Sequence, residues 1–195
     1  MTSFACIVLA AGTSTRFGRD KRQEKNAEGE TLLGLTLNSI PPLFEQRILV
    51  LHSGDETLGA IHGKSWRVIY AAHASQGMGH SIAAAISQVS NCTGCLIALG
   101  DMPLVRKETY SMLQQAAKPD RIVVPFFEHK RGNPVMIGRD FFLQLADLKG
   151  DSGARQLMQQ HPQCVERLDV QDQGILRDMD TPAELSQVPG FSQLK

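Results

Sequence analysis

The texture of the apolar runs constrains this 195-residue chain more than any other feature. Residues 4–11 read Phe-Ala-Cys-Ile-Val-Leu-Ala-Ala without a polar interruption, and 48–51 and 96–99 repeat the pattern. A strand with one wet face alternates apolar and polar side chains, so a run that never alternates is buried on both faces. Further short runs complete a set of expected strands at 4–11, 47–52, 67–71, 96–99, 121–125, 134–137 and 165–169. Segments of helical period fall at 31–40, 55–61, 79–89, 106–117, 139–146, 152–160 and 182–187. This βαβα order predicts an α/β fold: a Rossmann-like three-layer sandwich whose mostly parallel sheet carries helices on both faces. No linker, low-complexity tract or repeat divides residues 1–195, so a single domain is expected.

Charge narrows the partners. Twenty Lys+Arg balance twenty Asp+Glu, and a formally neutral chain lacks the broad basic surface that polynucleotide binding needs. Local cations can still hold a mononucleotide. No apolar run approaches the roughly 20 residues that span a bilayer, and the N-terminus has no basic leader, so a cytoplasmic protein without membrane contact is expected. Cys92-Thr93-Gly94-Cys95 is a CxxC, but no second pair closes a zinc shell, and Cys95 opens the apolar run 95–99 as a small core residue.

In doubly wound sheets ligands bind beyond the carboxyl ends of strands. The first such loop reads Leu9-Ala10-Ala11-Gly12-Thr13-Ser14-Thr15-Arg16-Phe17-Gly18-Arg19-Asp20-Lys21. Small residues at 10–12 allow close backbone approach, Thr13, Ser14 and Thr15 add donors, and Arg16 and Lys21 add positive charge. That mixture suits a triphosphate. It is not a P-loop, because Gly12 to Gly18 is one residue too long and Arg19 follows Gly18. Nor does Gly77-Met78-Gly79-His80-Ser81-Ile82 carry the third glycine of a dinucleotide fingerprint. A plain βα turn would account for Gly12 but not for Arg16, Gly18 and Lys21 together. Lys25 competes with Lys21 for the phosphate role.

Carboxylates follow later. Asp101 comes directly after the strand at 96–99, too far before the next helix to cap it comfortably, and a hard oxygen ligand at that edge suits Mg²⁺. Asp178 and Asp180 flank Met179, and period-two spacing puts both on one side of an extended segment. Thr181 with Glu184 is a capping-box pattern with Pro182 at the first helical position, which leaves the two aspartates for other work. Gln76-Gly77-Met78-Gly79 leads into a small-residue helix whose amides and glycines permit approach to a flat base.

Together these stretches resemble a known family. Leu9-Ala10-Ala11-Gly12-x-Ser14-x-Arg16-Phe17-Gly18-x-x-Lys21 looks like the signature loop of the molybdenum cofactor nucleotidyltransferases, within the wider Rossmann-like NTP transferases. Lys21 is preferred to Lys25 because it keeps the three-residue step from Gly18 found in the signature loop that this stretch resembles. Gln76-Gly77-Met78-Gly79-x-Ser81-Ile82, Leu99-Gly100-Asp101-Met102-Pro103, Gly132-Asn133-Pro134-Val135, Gly150-Asp151-x-Gly153-Ala154-Arg155 and Asp178-Met179-Asp180-Thr181-Pro182-Ala183-Glu184-Leu185 agree in order. The third and fifth blocks, and Ala11, resemble the cytidylyl branch more than the guanylyl one.

The resemblance implies Mg²⁺-dependent transfer of CMP from CTP to the terminal phosphate of molybdopterin, with pyrophosphate released by in-line displacement. It implies catalytic Arg16, Lys21 and Asp101, and nucleotide binding by Leu9, Ala10, Ala11, Gly12, Ser14, Arg16, Lys21, Gln76, Gly77, Met78 and Ser81. Metal would be held by Asp101 with Asp180 or Asp178, which spacing does not separate. Asn133 and Arg155 would face the acceptor, although Arg155 reads equally as a solvated helix residue. A transient molybdoenzyme or chaperone partner also follows from the resemblance. The alternatives are GTP in place of CTP, a sugar phosphate or phosphocholine acceptor, or a nucleotide-binding accessory protein without catalysis. A flavodoxin-like signalling domain fits the fold but leaves the first loop unexplained. One departure is Arg22-Gln23-Glu24-Lys25-Asn26-Ala27-Glu28, with Asn26 where relatives carry leucine; a looser segment, or one that orders on binding nucleotide, is expected there.

Overall fold

The computed structural model describes residues 3–12, 14 and 16–191. Thr13 and Thr15, expected to supply donors in the first loop, lie outside the described residues. Strands β1 (Phe4–Leu9), β2 (Gln46–His52), β3 (Arg67–Ala71) and β4 (Gly94–Leu99) run parallel in the order β3-β2-β1-β4. The sheet then continues through β7 (Val135–Gly138), antiparallel to β4, and β5 (Ile122–Phe127), antiparallel to β7. Strand β8 (Val165–Asp169) pairs parallel with β5.

Each expected strand has its counterpart, with ends shifted by a residue or two. Strand β6 (Lys130–Arg131) was not legible in the sequence. It pairs with β5 across Glu128 and His129, both at positive φ, which is the backbone of a tight hairpin turn. Such turns favour Asn and Gly, and this one has neither.

The helices are α1 (Leu32–Ser39), α2 (Glu56–His62), α3 (Met78–Ile86), α4 (Lys107–Ala116), α5 (Phe142–Ala146), α6 (Gly153–Gln160) and α7 (Pro182–Leu185). Their starts follow local chemistry. Thr31 Oγ1 accepts from the Gly34 amide at α1, and Thr181 with Glu184 closes a full capping box at α7. Helix α4 has no local side-chain cap: the Arg106 amide and the Thr109 hydroxyl both donate to Asp172 Oδ2, from the segment after β8. Asp101 plays no part in that cap.

Alternation along β1 explains its unbroken apolarity. Cys6, Val8 and Ala10 pack into a cluster with Leu33 and Leu37 of α1, Leu58 of α2 and Leu113 of α4. Ala5, Ile7 and Leu9 face the opposite cluster, with Ile82 and Ile86 of α3, Leu145 of α5 and Leu157 of α6. Two apolar faces covered by two helix layers give the expected sandwich. A third cluster lies outside it: Phe17 from the first loop packs with Leu32, Met179, Leu185, Val188 and Phe191. Burial of Met179 and Phe17, each worth about 1.5–3 kcal/mol, draws the loop after β1 against the chain that carries Asp178 and Asp180. Among the described residues, no helix is long and apolar enough to cross a membrane.

Candidate functional site

Strands β1, β3 and β4 end at one edge of the sheet, and a cleft of about 610 Å³ opens there. The loop after β1 contributes Leu9, Ala10, Ala11, Gly12, Ser14, Arg16, Lys21 and Arg22 to its wall. The stretch after β3 adds Ala74, Ser75, Gly77, Met78 and Ser81, and the end of β4 adds Leu99, Gly100 and Asp101. Asp151, Asp178 and Asp180 close it from the later chain.

At one end of this cleft two carboxylates converge on one ammonium. Lys21 Nζ donates to Asp101 Oδ2 at 2.6 Å and to Asp180 Oδ1 at 2.8 Å, while Arg16 Nη1 reaches Asp180 Oδ2 at 2.5 Å. Residues 80 and 159 positions apart are joined in this way. The Met179 amide, which donates to the Asp101 carbonyl, locks the two carboxylate-bearing segments together. Met179 turns into the third cluster, and Asp178 and Asp180 both turn to the cleft, as the period-two spacing requires.

Electrostatics follow from this packing. Burial works against the Lys21 charge, but the attraction of Asp101 and Asp180 outweighs it and the ammonium is held above its ordinary pKa. Burial pushes the Asp101 carboxyl above the usual range; Lys21 opposes this, and the charges of Asp178 and Asp180 add to it. The Lys21 hydrogen bond holds Asp180 below the usual range, against some burial and with help from Arg16. Asp101 and Asp180 thus present oxygens to one cationic point, a donor set that fits a divalent ion completed by phosphate oxygens and water. Among the described residues no group of three His, Cys, Asp or Glu forms a protein-only metal cage.

Lys25 is exposed, bridges Thr31 by backbone, and lines no part of the cleft. The departure at 22–28 is tied down rather than loose: Asn26 Oδ1 accepts from the Glu30 amide, and the Ala27 amide donates to the Gly190 carbonyl. Asn26 makes a turn where leucine would have packed.

Gly77 stands at φ +122°, and a Cβ there would lie 2.3 Å from the Gly150 backbone, so the 150 loop leans directly on the stretch before α3. A Cβ on Gly12 would meet nothing within 4 Å; it borders open space.

Three expected site residues stand apart. Gln76 is exposed with its amide on His73, Arg155 is exposed on α6, and Asn133 sits before β7 with its amide on the Ile175 carbonyl; none lines the cleft. Conversely, Arg22, Ala74, Ser75, Leu99, Gly100 and Asp151 also line the cleft, and Asp172 supports it, although none carried a site role in the sequence reading. Arg22 carries a visible signal in its proximity to Asp20, but Asp55, its other partner, lies 33 positions away. The remote cap by Asp172 has no sequence signature at all.

Residues 6–165 match the MobA-like NTP transferase domain. Purine catabolism protein PucB of Bacillus subtilis is 28% identical over 194 residues, covering 93% of this chain and 94% of its own. Nicotine blue oxidoreductase of Paenarthrobacter nicotinovorans is 25% identical over 189 residues, covering 92% and 93%. Molybdenum cofactor cytidylyltransferase of Escherichia coli is 25% identical over 186 residues, covering 93% of each. Among solved structures, Rv0371c of Mycobacterium tuberculosis superposes with a TM-score of 0.80 at 28% identity, covering 94% of this chain and 95% of that one. Its manganese complex superposes at 0.70 and 28% identity, covering 87% and 89%.

Proposed function

The chain belongs to the MobA-like NTP transferase family, and on that premise we propose that it moves CMP from CTP to the terminal phosphate of molybdopterin, releasing pyrophosphate. The nucleotidyltransferase class comes with the family; the base, the acceptor and the roles of individual residues are our reading. A single domain, 1–195, would carry the whole activity, in the cytoplasm, where CTP is at hand.

One observation carries the proposal: Arg16, Lys21, Asp101 and Asp180 meet at the carboxyl edge of the sheet, in one cleft, from three separate stretches of chain. Cations and carboxylates in contact are what a metal-bound triphosphate needs. The cytidylyl reading is supported by the Leu99–Pro103 and Gly150–Arg155 sequence forms, by Ala11, and by the near full-length likeness to the Escherichia coli cytidylyltransferase. The manganese complex of Rv0371c supports a divalent cation, here Mg²⁺.

When bound, that cation would lie on Asp101 and Asp180 and neutralise charge on the phosphates. Lys21 would hold the triphosphate from the same side. Arg16, whose side chain is 78% exposed and paired with Asp180, would turn from that carboxylate to the leaving pyrophosphate. Backbone at 10–12 and the stretch 74–81 would enclose the nucleoside, with Gly77, Met78 and Ser81 nearest and Gln76 reaching in from outside. An oxygen of the acceptor's phosphate forms a bond to the α-phosphorus as the bond to pyrophosphate breaks. No covalent enzyme intermediate is required, because positioning and charge carry the step. Asn133 stays on the acceptor side, since antiparallel β7 begins at the cleft edge of the sheet; Arg155 would have to reach in from α6.

The test is pyrophosphate release with each of the four NTPs and Mg²⁺, with and without molybdopterin. Release with CTP and molybdopterin alone is expected. Release with GTP, or only with a sugar phosphate or phosphocholine, would overturn the substrate assignment. CTP binding without release for any acceptor would make the chain a nucleotide-binding accessory protein.

A further inference from the structure

Arg22 lines the cleft beside Lys21, yet it has no donor to spare. Its Nε donates to Asp20 Oδ1 at 2.8 Å. Its Nη1 donates to the Ala10 carbonyl at 2.7 Å and to Asp55 Oδ2 at 2.5 Å. Its Nη2 donates to Asp20 Oδ2 at 3.0 Å and to Asp55 Oδ1 at 2.9 Å. A guanidinium carries five N–H groups, and all of them are used within the protein. With its side chain only 11% exposed, Arg22 could bond a phosphate only by breaking one of these contacts. Its value to the site therefore lies in what it joins.

Ala10 stands where β1 ends. Asp55 precedes α2, and its Oδ2 also accepts from the His52 amide at the end of β2. Asp20 opens the short 3-10 turn Lys21–Gln23, and its Oδ1 also accepts the Arg22 amide. One side chain thus ties the ends of two parallel strands to the turn that carries Lys21. In a 3-10 turn successive side chains point about 120° apart. With Arg22 anchored toward Ala10 and Asp55, Lys21 is turned toward Asp101 and Asp180.

We propose that Arg22, clamped by Asp55, is a positioning residue for nucleotidyl transfer: it acts through Lys21, fixing the direction in which that ammonium meets the triphosphate. This rests on the reading of Lys21 as the phosphate-binding cation given above. A lysine at 22 would keep the charge but bring three donors on a flexible stem, too few to span Asp20, Asp55 and Ala10 at once.

Two measurements test the clamp. The first needs no substrate. In ¹⁵N NMR the immobilised Lys21 ammonium, identified by its loss in Lys21→Ala, is expected in the wild type and lost in Arg22→Met, Arg22→Lys and Asp55→Asn. Asp55→Asn keeps the acceptor for the His52 amide and serves if an Arg22 variant fails to fold. Persistence of the signal in every folded variant overturns the proposal. The second is a double-mutant cycle on pyrophosphate release from CTP. Arg22→Met should lower kcat by about 10²-fold, the scale on which small misplacements act, with KM for CTP changed far less. In a Lys21→Ala background the same substitution should cost under about threefold, because the effect runs through Lys21. An equal cost in both backgrounds overturns the proposal. If the wild type releases no pyrophosphate from any NTP, the proposed function fails, while the ammonium signal still decides the clamp.

Discussion

Lys21 and Lys25 carry the same ammonium on the same loop, and their surroundings give them different chemistry. Lys21 is largely buried between Asp101 and Asp180, whereas Lys25 points away into solvent. Lys21→Ala should lower the rate of pyrophosphate release by ~10²–10³, the usual consequence of removing one charge-stabilising group, and Lys25→Ala should leave it within a few-fold. Steady-state assays of the two variants decide between them. The same logic separates the C-terminal aspartates. Asp180 shares Lys21 and Arg16 with the rest of the site, and Asp178 acts on Asp101 only through space. Asp180→Asn should therefore raise the Mg²⁺ concentration needed for half-maximal activity more than Asp178→Asn does, and a metal titration of each variant reads it directly. Spacing placed both aspartates on one side of the chain but could not rank them, because the ranking comes from a lysine 159 positions away.

At the scale of elements, the meeting of the 150 loop with the stretch before α3 is set by one glycine. An alanine at 77 would put its Cβ within 2.3 Å of the Gly150 carbonyl carbon and would hold φ +122°, outside the comfortable range of an L residue. Gly77→Ala should cost about 1–3 kcal/mol in denaturant unfolding and weaken CTP binding together with it. Stability retained with affinity lost would mean that the loops part rather than strain. The strands β1, β2 and β4 were legible because burial on both faces leaves an unbroken apolar signature. The reversal at β7 was not. Val135, Met136 and Ile137 look the same whichever way the strand runs, and its direction is fixed by a hairpin turn of Glu128 and His129 that lacks the usual residues. Likewise Arg22 was legible as a charge but not as a clamp, because its partner Asp55 belongs to the loop after another strand.

For the molecule as a whole, one group that couples stability to pH near neutrality is His62, which sits at the end of α2 with a buried Nε2 that has no partner among the described residues. Burial holds its pKa below the ordinary value of about 6.5. The unfolded chain then binds this proton at a higher pH than the folded one. Stability falls as pH drops through about 6.5 and levels off below the folded value. Urea unfolding at pH 8 and pH 5.5 should show the wild type losing more stability on acidification than His62→Gln; equal losses would remove His62 as the cause.

The place of β1 has a further consequence, in the time taken to build the protein. It is translated before both strands that flank it, and Phe4 finds its β4 neighbour only at Gly94. At about 5–20 residues per second on the ribosome, one edge of a wholly apolar strand waits roughly 5 to 20 seconds for its second partner. Until then that backbone edge stays open to pairing with other chains.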